Sequence, residues 1–206
     1  MKQKAENYCK AYRDAEQHVK CAEKTIQSID PTGKTDLTGG TGSLRGILIP
    51  SINELRYAGW HAVRALEAQN NEDRAVEWDS AEDHCFRASY DAFDAQLQYI
   101  VGECAIFQND YRRGVEISRV ISDYQEDCRI LNKLKRVDYR QIKSRGDHWK
   151  DMQQHVETLL PILEKWNTAR DELNKILQDG LFNRWLKVTG TIVLVVGTVV
   201  AILKLF

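Results

Sequence analysis

The sequence predicts an all-α protein: an elongated helical bundle of about five helices, followed by one C-terminal transmembrane helix. Three observations predict it. Charged residues are 29% of the chain and interleave with apolar ones at helical spacing almost throughout. Short alternating runs of β-branched residues, the mark of strands, are hard to find before Lys187. The chain then closes on an apolar run of a different character, TGTIVLVVGTVVAILKLF. Together these divide the 206 residues into a cytosolic helical domain, 1–180, with a flexible Gly-rich connector at 30–46, and a membrane helix, 181–206.

The first helix is expected from about Lys2 to Ile29. Tyr8, Tyr12, Ala15, Val19, Ala22, Ile26 and Ile29 step by four and three, a heptad seam. That seam can serve packing inside the domain or against another copy. The stretch DPTGKTDLTGGTGSLRG, Asp30 to Gly46, contains GKT but is no phosphate-binding loop. Ser28 stands where the first glycine of GxxxxGK[ST] belongs, and a helix rather than a strand precedes it.

The second helix is expected from Pro50 to Ala68, with proline in its first turn. Its large apolar residues, Ile52, Leu55, Val63 and Leu66 with Gly59 and Ala62, predict the buried face. Asn53, Tyr57, Trp60, His61 and Arg64 fall opposite. The third helix starts near Asn71 and passes Tyr99. Two neighbouring strips, Ala81-Cys85-Ala88-Ala92-Ala95-Tyr99 and Phe86-Tyr90-Phe93-Leu97-Ile100, cover most of its circumference and make it the central helix. On the remaining arc His84, Arg87, Asp91 and Asp94 line up. Such a row is an ion-pair ladder or, less commonly, part of an active site.

A break is expected at 102–109, then a fourth helix from about Tyr111 to Lys143. Arg129, Lys133, Arg136, Arg140 and Lys143 form a basic stripe along it. Between Arg129 and Lys150 stand eight basic residues and two acidic ones, in a chain of net charge −1. The stripe can grip RNA phosphates, anionic lipid or a protein partner, or remain a solvated face. A fifth helix is expected from near Gly146, kinked or broken at Pro161.

The uncharged run Val188–Leu203 spans about 24 Å as a helix, and flanking Trp185, Lys187 and Lys204 extend it towards a bilayer of about 30 Å. Arg184 and Lys187 lie on the domain side and only Lys204 beyond, so the positive-inside rule keeps the domain in the cytosol. This predicts a single-pass, tail-anchored protein of the inner membrane. Gly190 and Gly197, and likewise Thr191 and Thr198, are seven apart, and Gly197 with Ala201 is a small-xxx-small pair. These are the residues that pack helices closely in lipid.

Signals for enzymatic chemistry are sparse. Cys9, Cys21, Cys85, Cys104 and Cys128 are scattered and odd in number, which speaks against a disulfide framework and a zinc site. No cofactor motif and no metal-ligand spacing stands out; His148 and His155 with Asp151 between them are a weak pair. The N-terminus has no apolar core of a secretory signal. Two segments, Arg13 to His18 and Arg56 to His61, carry Arg and His five residues apart. That pattern is similar to the one in helical RNases of the HEPN superfamily.

With the helical domain and the membrane segment, it resembles HEPN-like single-pass effectors of prokaryotic antiviral defence, such as the small accessory membrane proteins of Cas13b CRISPR systems. The resemblance implies oligomerisation through the helical domain, permeabilisation of the membrane and no retained nuclease chemistry. The expectation is therefore an oligomeric membrane effector whose partners are the bilayer and further copies of itself. The alternatives are a membrane-tethered RNase using Arg13, His18, Arg56 and His61, and a tethered adaptor using the basic stripe.

Overall fold

The computed structural model describes residues 2–29, 44–112, 117–134 and 145–180. Among them stand six helices and no strand: α1 (Lys2–Ile29), α2 (Leu44–Glu67), α3 (Asn71–Asp110), α4 (Tyr124–Leu134), α5 (Trp149–Thr168) and α6 (170–180). Short 3-10 turns at Ile117–Arg119 and Arg145–His148 precede α4 and α5. No helix among the described residues is long and apolar enough to cross a membrane. The membrane segment expected at 181–206, with Gly190, Thr191, Gly197, Thr198 and Ala201, lies outside the described residues, as do residues 30–43 of the connector expected at 30–46, whose last three residues instead open α2.

The 40-residue α3 is the mast of the molecule. Asn70 caps its start, its side-chain oxygen accepting from the Asp73 N–H at 2.8 Å, and Glu72 and Asp73 favour the positive end of the helix dipole. α1 and α2 pack along α3 from Trp78 to Tyr99. α4 and α5 pack along it from Tyr90 onward to its C-terminal end. The expected break after Gly102 does not occur. One glycine costs a helix about 1 kcal/mol, and continuing the helix buries Cys104 and Phe107 completely.

The two halves pack by different means. Around α1, α2 and the first half of α3 the contacts are small: Ala11, Ala15, Ala58, Cys85 and Ala88 form one cluster, and Ala62, Ala65, Trp78 and Ala81 another. The α1 seam is thus spent inside the domain, with Ala15, Ala22 and Ile26 fully buried. Around the second half of α3 the core is large and aromatic. Trp166 is fully buried, with Phe107 and Tyr124 each 5.0 Å away between ring centroids. Its Nε1–H donates to Asp127 at 2.9 Å, which ties α5 to α4. Lys165 also donates to Asp127 and to Asp123 at 2.7 Å. Burial pulls the Lys165 ammonium down, and the two carboxylates more than offset it, so its pKa is raised.

Three expectations are corrected. The helix expected over Tyr111–Lys143 is limited among described residues to Tyr124–Leu134, so Arg129 and Lys133 lie on α4 while Arg136, Arg140 and Lys143 lie outside the described residues. Pro161 does not break α5. Its ring sits on the exposed side, where water can satisfy the freed carbonyl, while Val156, Leu159, Ile162 and Leu163 keep one buried face across it. Finally, α2 begins at Leu44 rather than Pro50, and its buried face is rotated by about one residue from the expected one, keeping Ala62 buried and Leu55 half-buried. Leu48, Ser51, Ala58, Ala62 and Ala65 are inside, whereas Ile52, Val63 and Leu66 are 51%, 52% and 73% exposed. Alanine predominates where α2 meets α1 and α3, with Leu48 and Leu55 beside it, so side-chain size as well as hydropathy selects the buried face.

Candidate functional site

The polar residues of α2 and α3 converge on one site. Glu54 and His61 are two turns apart on α2; Glu77 and His84 are two turns apart on α3. The two helices run antiparallel about the short link at Ala68–Asn70, so the pairs cross. His61 Nδ1 meets Glu77 Oε2 at 2.6 Å, and His84 Nδ1 meets Glu54 Oε2 at 2.6 Å. A carboxylate only accepts, so each Nδ1 carries the hydrogen and donates it. The two imidazoles stack with centroids 5.1 Å apart and planes 21° from parallel. All four side chains are between 15% and 18% exposed.

Cations and aromatic rings surround this pair. Arg64 donates to the second oxygen of Glu77 at 3.0 Å and lies over the Trp60 ring at 4.7 Å. Tyr57 lies 5.6 Å from His84, and Arg56 covers the Tyr57 ring at 5.4 Å. Arg56, Tyr57 and Trp60 line a depression of about 290 Å³; Arg64, Asp73, Val76 and Glu77 line part of another of about 460 Å³. Chemically this is a pair of carboxylate-oriented imidazoles with guanidinium groups at its rim. Each Nε2 can take or give a proton next to a bound anion. The same contacts also clasp α2 to α3.

The structure separates Arg and His within each of the two spaced pairs. Arg56 is exposed, whereas His61 turns inward to α3, and it is Arg64 that shares a carboxylate with His61. Arg13 is exposed while His18 packs between Phe93 at 4.8 Å and Trp149 at 5.1 Å, its Nδ1 3.0 Å from the Ser89 hydroxyl. Five helical residues turn the chain by about 140°, which accounts for both separations.

The row on α3 is divided as well. His84 pairs with Glu54 on α2, Arg87 with Asp83 at 3.0 Å, Asp94 accepts from Gln98 at 2.7 Å, and Asp91 is buried. On α4, Arg129 pairs with Glu126 at 2.8 Å. Among the described residues no three His, Cys, Asp or Glu side chains are grouped so as to hold a metal ion. Glu54 and Glu77 are site residues that the sequence reading passed over. Their signal was the repeated Glu-x6-His spacing on consecutive helices.

Burial lowers the pKa of His18, with Asp14 pulling weakly the other way; His155 is lowered in the same manner, against Asp151. The unfolded chain takes up protons near pH 6.5, whereas these folded imidazoles resist until lower pH. Their contribution to stability is therefore complete above about pH 6.5 and lost as pH falls from there towards the folded values. The melting temperature is expected to drop between pH 7 and pH 5. A His18→Gln variant, which keeps a polar group near Ser89, should show a shallower drop. An equal drop in both proteins would show that His18 is not a source of it.

No family model matches the chain, and no curated protein or solved structure matches it either.

Proposed function

We propose that this chain is a membrane effector of antiviral defence, anchored in the inner membrane by its apolar C-terminal segment, with its helical domain in the cytosol. Copies assemble through the helical domain and the membrane segment, and the assembly permeabilises the bilayer. The observation that carries this reading is the uncharged run Val188–Leu203, set against a chain that is otherwise rich in charge. The excess of Arg184 and Lys187 over Lys204 supports the orientation. Gly190, Gly197 and Ala201, with the hydroxyls of Thr191 and Thr198, support close packing of several such segments. A passage lined by these residues would be largely apolar and would gate by wetting and drying.

The test is induction of the full-length chain in bacterial cells, read by growth and by entry of a membrane-impermeant dye. The double variant Gly197→Leu/Thr198→Leu is expected to remain in the membrane fraction while dye entry falls to the uninduced level. Dye entry that survives the substitution would make the segment a passive anchor and remove the effector reading.

The crossed His–Glu pairs favour a second reading, a membrane-tethered RNase with His61 and His84 as acid and base and Arg64 at the phosphate. RNA from the same cells separates the two. It stays intact if the protein is the effector described above. Breakdown that stops with His61→Ala would establish the RNase instead.

A further inference from the structure

We infer that the exposed face of α2 is a contact between two copies of this chain, packed antiparallel about a two-fold axis that passes beside Tyr57 and Ala58. This deepens the effector reading by placing the domain contact on one helix, and it rests on that reading only in supposing that copies meet.

The face is mostly apolar, with Arg56 and Gly59 at its middle. Ile49, Ile52, Trp60, Val63 and Leu66 are 52%, 51%, 53%, 52% and 73% exposed. These side chains expose on the order of 500 Å² of apolar surface, at the upper end of the largest patch on an ordinary monomer. A stable interface takes about 800 Å² from each partner. Arg56 within the seam and the flanking Asn53 and Arg64 are placed to supply the remainder.

The sequence of this face is self-complementary. Positions 49, 52, 56, 59, 63 and 66 step three, four, three, four, three, which is a heptad seam. Turned end for end, the seam maps onto itself. Ile49 falls opposite Leu66 of the second copy, Ile52 opposite Val63, and Arg56 opposite Gly59. Large apolar side chains thus meet each other, and the one long polar side chain meets the one residue that has none. Two-fold contacts require a surface that complements itself in this way. The protein's own C-terminal segment, or an unrelated helix, would require no such symmetry.

Gly59 supplies an independent observation. It lies inside α2, where glycine costs about 1 kcal/mol relative to alanine. A Cβ built there would meet nothing within 4 Å, so the chain's own packing does not call for glycine. Close approach of a second backbone does. The Arg56 stem can lie across Gly59 of the other copy with its guanidinium reaching water.

The test uses the full-length chain in mild detergent, with the exposed Cys9 and Cys21 replaced by serine. One preparation carries Ile52→Cys, a second Val63→Cys, and a short thiol-to-thiol crosslinker is added to each alone and to their mixture. The mixture is expected to give at least a fivefold higher yield of covalent dimer than Ile52→Cys alone. Adding Gly59→Leu to both chains should remove that excess while the helical melting temperature stays at or above the parent's.

Equal yields in the mixture and in Ile52→Cys alone would overturn the antiparallel contact. No dimer in either would leave α2 to a monomer or to the C-terminal segment, and overturns it too. A Gly59→Leu chain that melts earlier would show that the glycine serves the fold, which removes the argument. Dye entry in cells is scored separately. Crosslinking without leakage leaves the α2 contact standing and removes the effector reading. Leakage without crosslinking does the reverse.

Discussion

Trp166→Ala is expected to destabilise the helical domain by about 3–5 kcal/mol, much of the stability of a domain this size. Trp166 is fully buried where α3, α4 and α5 meet, against Phe107 and Tyr124. Truncation leaves a cavity that three helices cannot collapse around. It also takes from Asp127, itself 4% exposed, the donor that links α5 to α4. Lys165 remains to pair with that carboxylate, which limits the electrostatic part of the loss. Trp166→Phe separates the two effects. It keeps most of the volume and removes the N–H, so about 1–3 kcal/mol is expected. Chemical denaturation followed by helical circular dichroism reads both. A loss below about 1 kcal/mol for Trp166→Ala would mean that this core is not what holds the C-terminal half together.

Ala88→Leu is expected to destabilise the other half by about 1–3 kcal/mol, although leucine is more apolar than alanine. Ala88 is fully buried among Ala11, Ala15, Ala58 and Cys85, where α1, α2 and α3 approach each other on small side chains rimmed by Tyr8, Tyr12, Leu55 and Phe86. Added carbons force at least one helix outward. That in turn disturbs the crossed Glu54–His84 and Glu77–His61 pairs, whose 2.6 Å contacts depend on the α2–α3 spacing. The same denaturation measurement decides. A variant as stable as the parent would mean that the three-helix contact has room to spare, contrary to the fully buried alanine cluster.

The two halves also differ in how much of them the sequence displays. Both strips of α3 were legible: Ala81, Cys85, Ala88, Ala92, Ala95 and Tyr99 repeat at helical spacing and all are buried, and of the second strip Tyr90, Phe93 and Ile100 are buried and Phe86 and Leu97 half-buried. The seam of α1 was legible for the same reason, and Lys2–Ile29 forms the expected helix. Helix ends were less so. Gly102 and Pro161 carry real local penalties, yet each is outweighed by the apolar face that continues past it. Local propensity is worth about 1–3 kcal/mol at such a residue, and burial of Phe107 or Trp166 competes on equal terms.

The α2 face shows where a sequence rule gives way. Hydropathy selects Ile52, Val63 and Leu66 as the buried side, but an exposed large apolar residue carries no contradiction by itself. The space left between α1 and α3 turns the alanine side inward. The site followed the same logic. His61 and Arg56 could be singled out by spacing, but a helix sends them to different sides. Glu54 and Glu77 became partners of the histidines only when two antiparallel helices crossed their Glu-x6-His spacings.

By itself, then, the sequence determined that the chain is helical, which residues make α3 the central element, and that its last residues are apolar enough to raise the question of a membrane. Those properties follow from periodicity and composition, which are local. Only the tertiary structure decided which side of α2 faces inward, where α3 and α5 end, and which carboxylate orients which imidazole. Those depend on the width of the gap between helices and on the direction in which they run. Both are set by all the packed side chains together, not by any one segment.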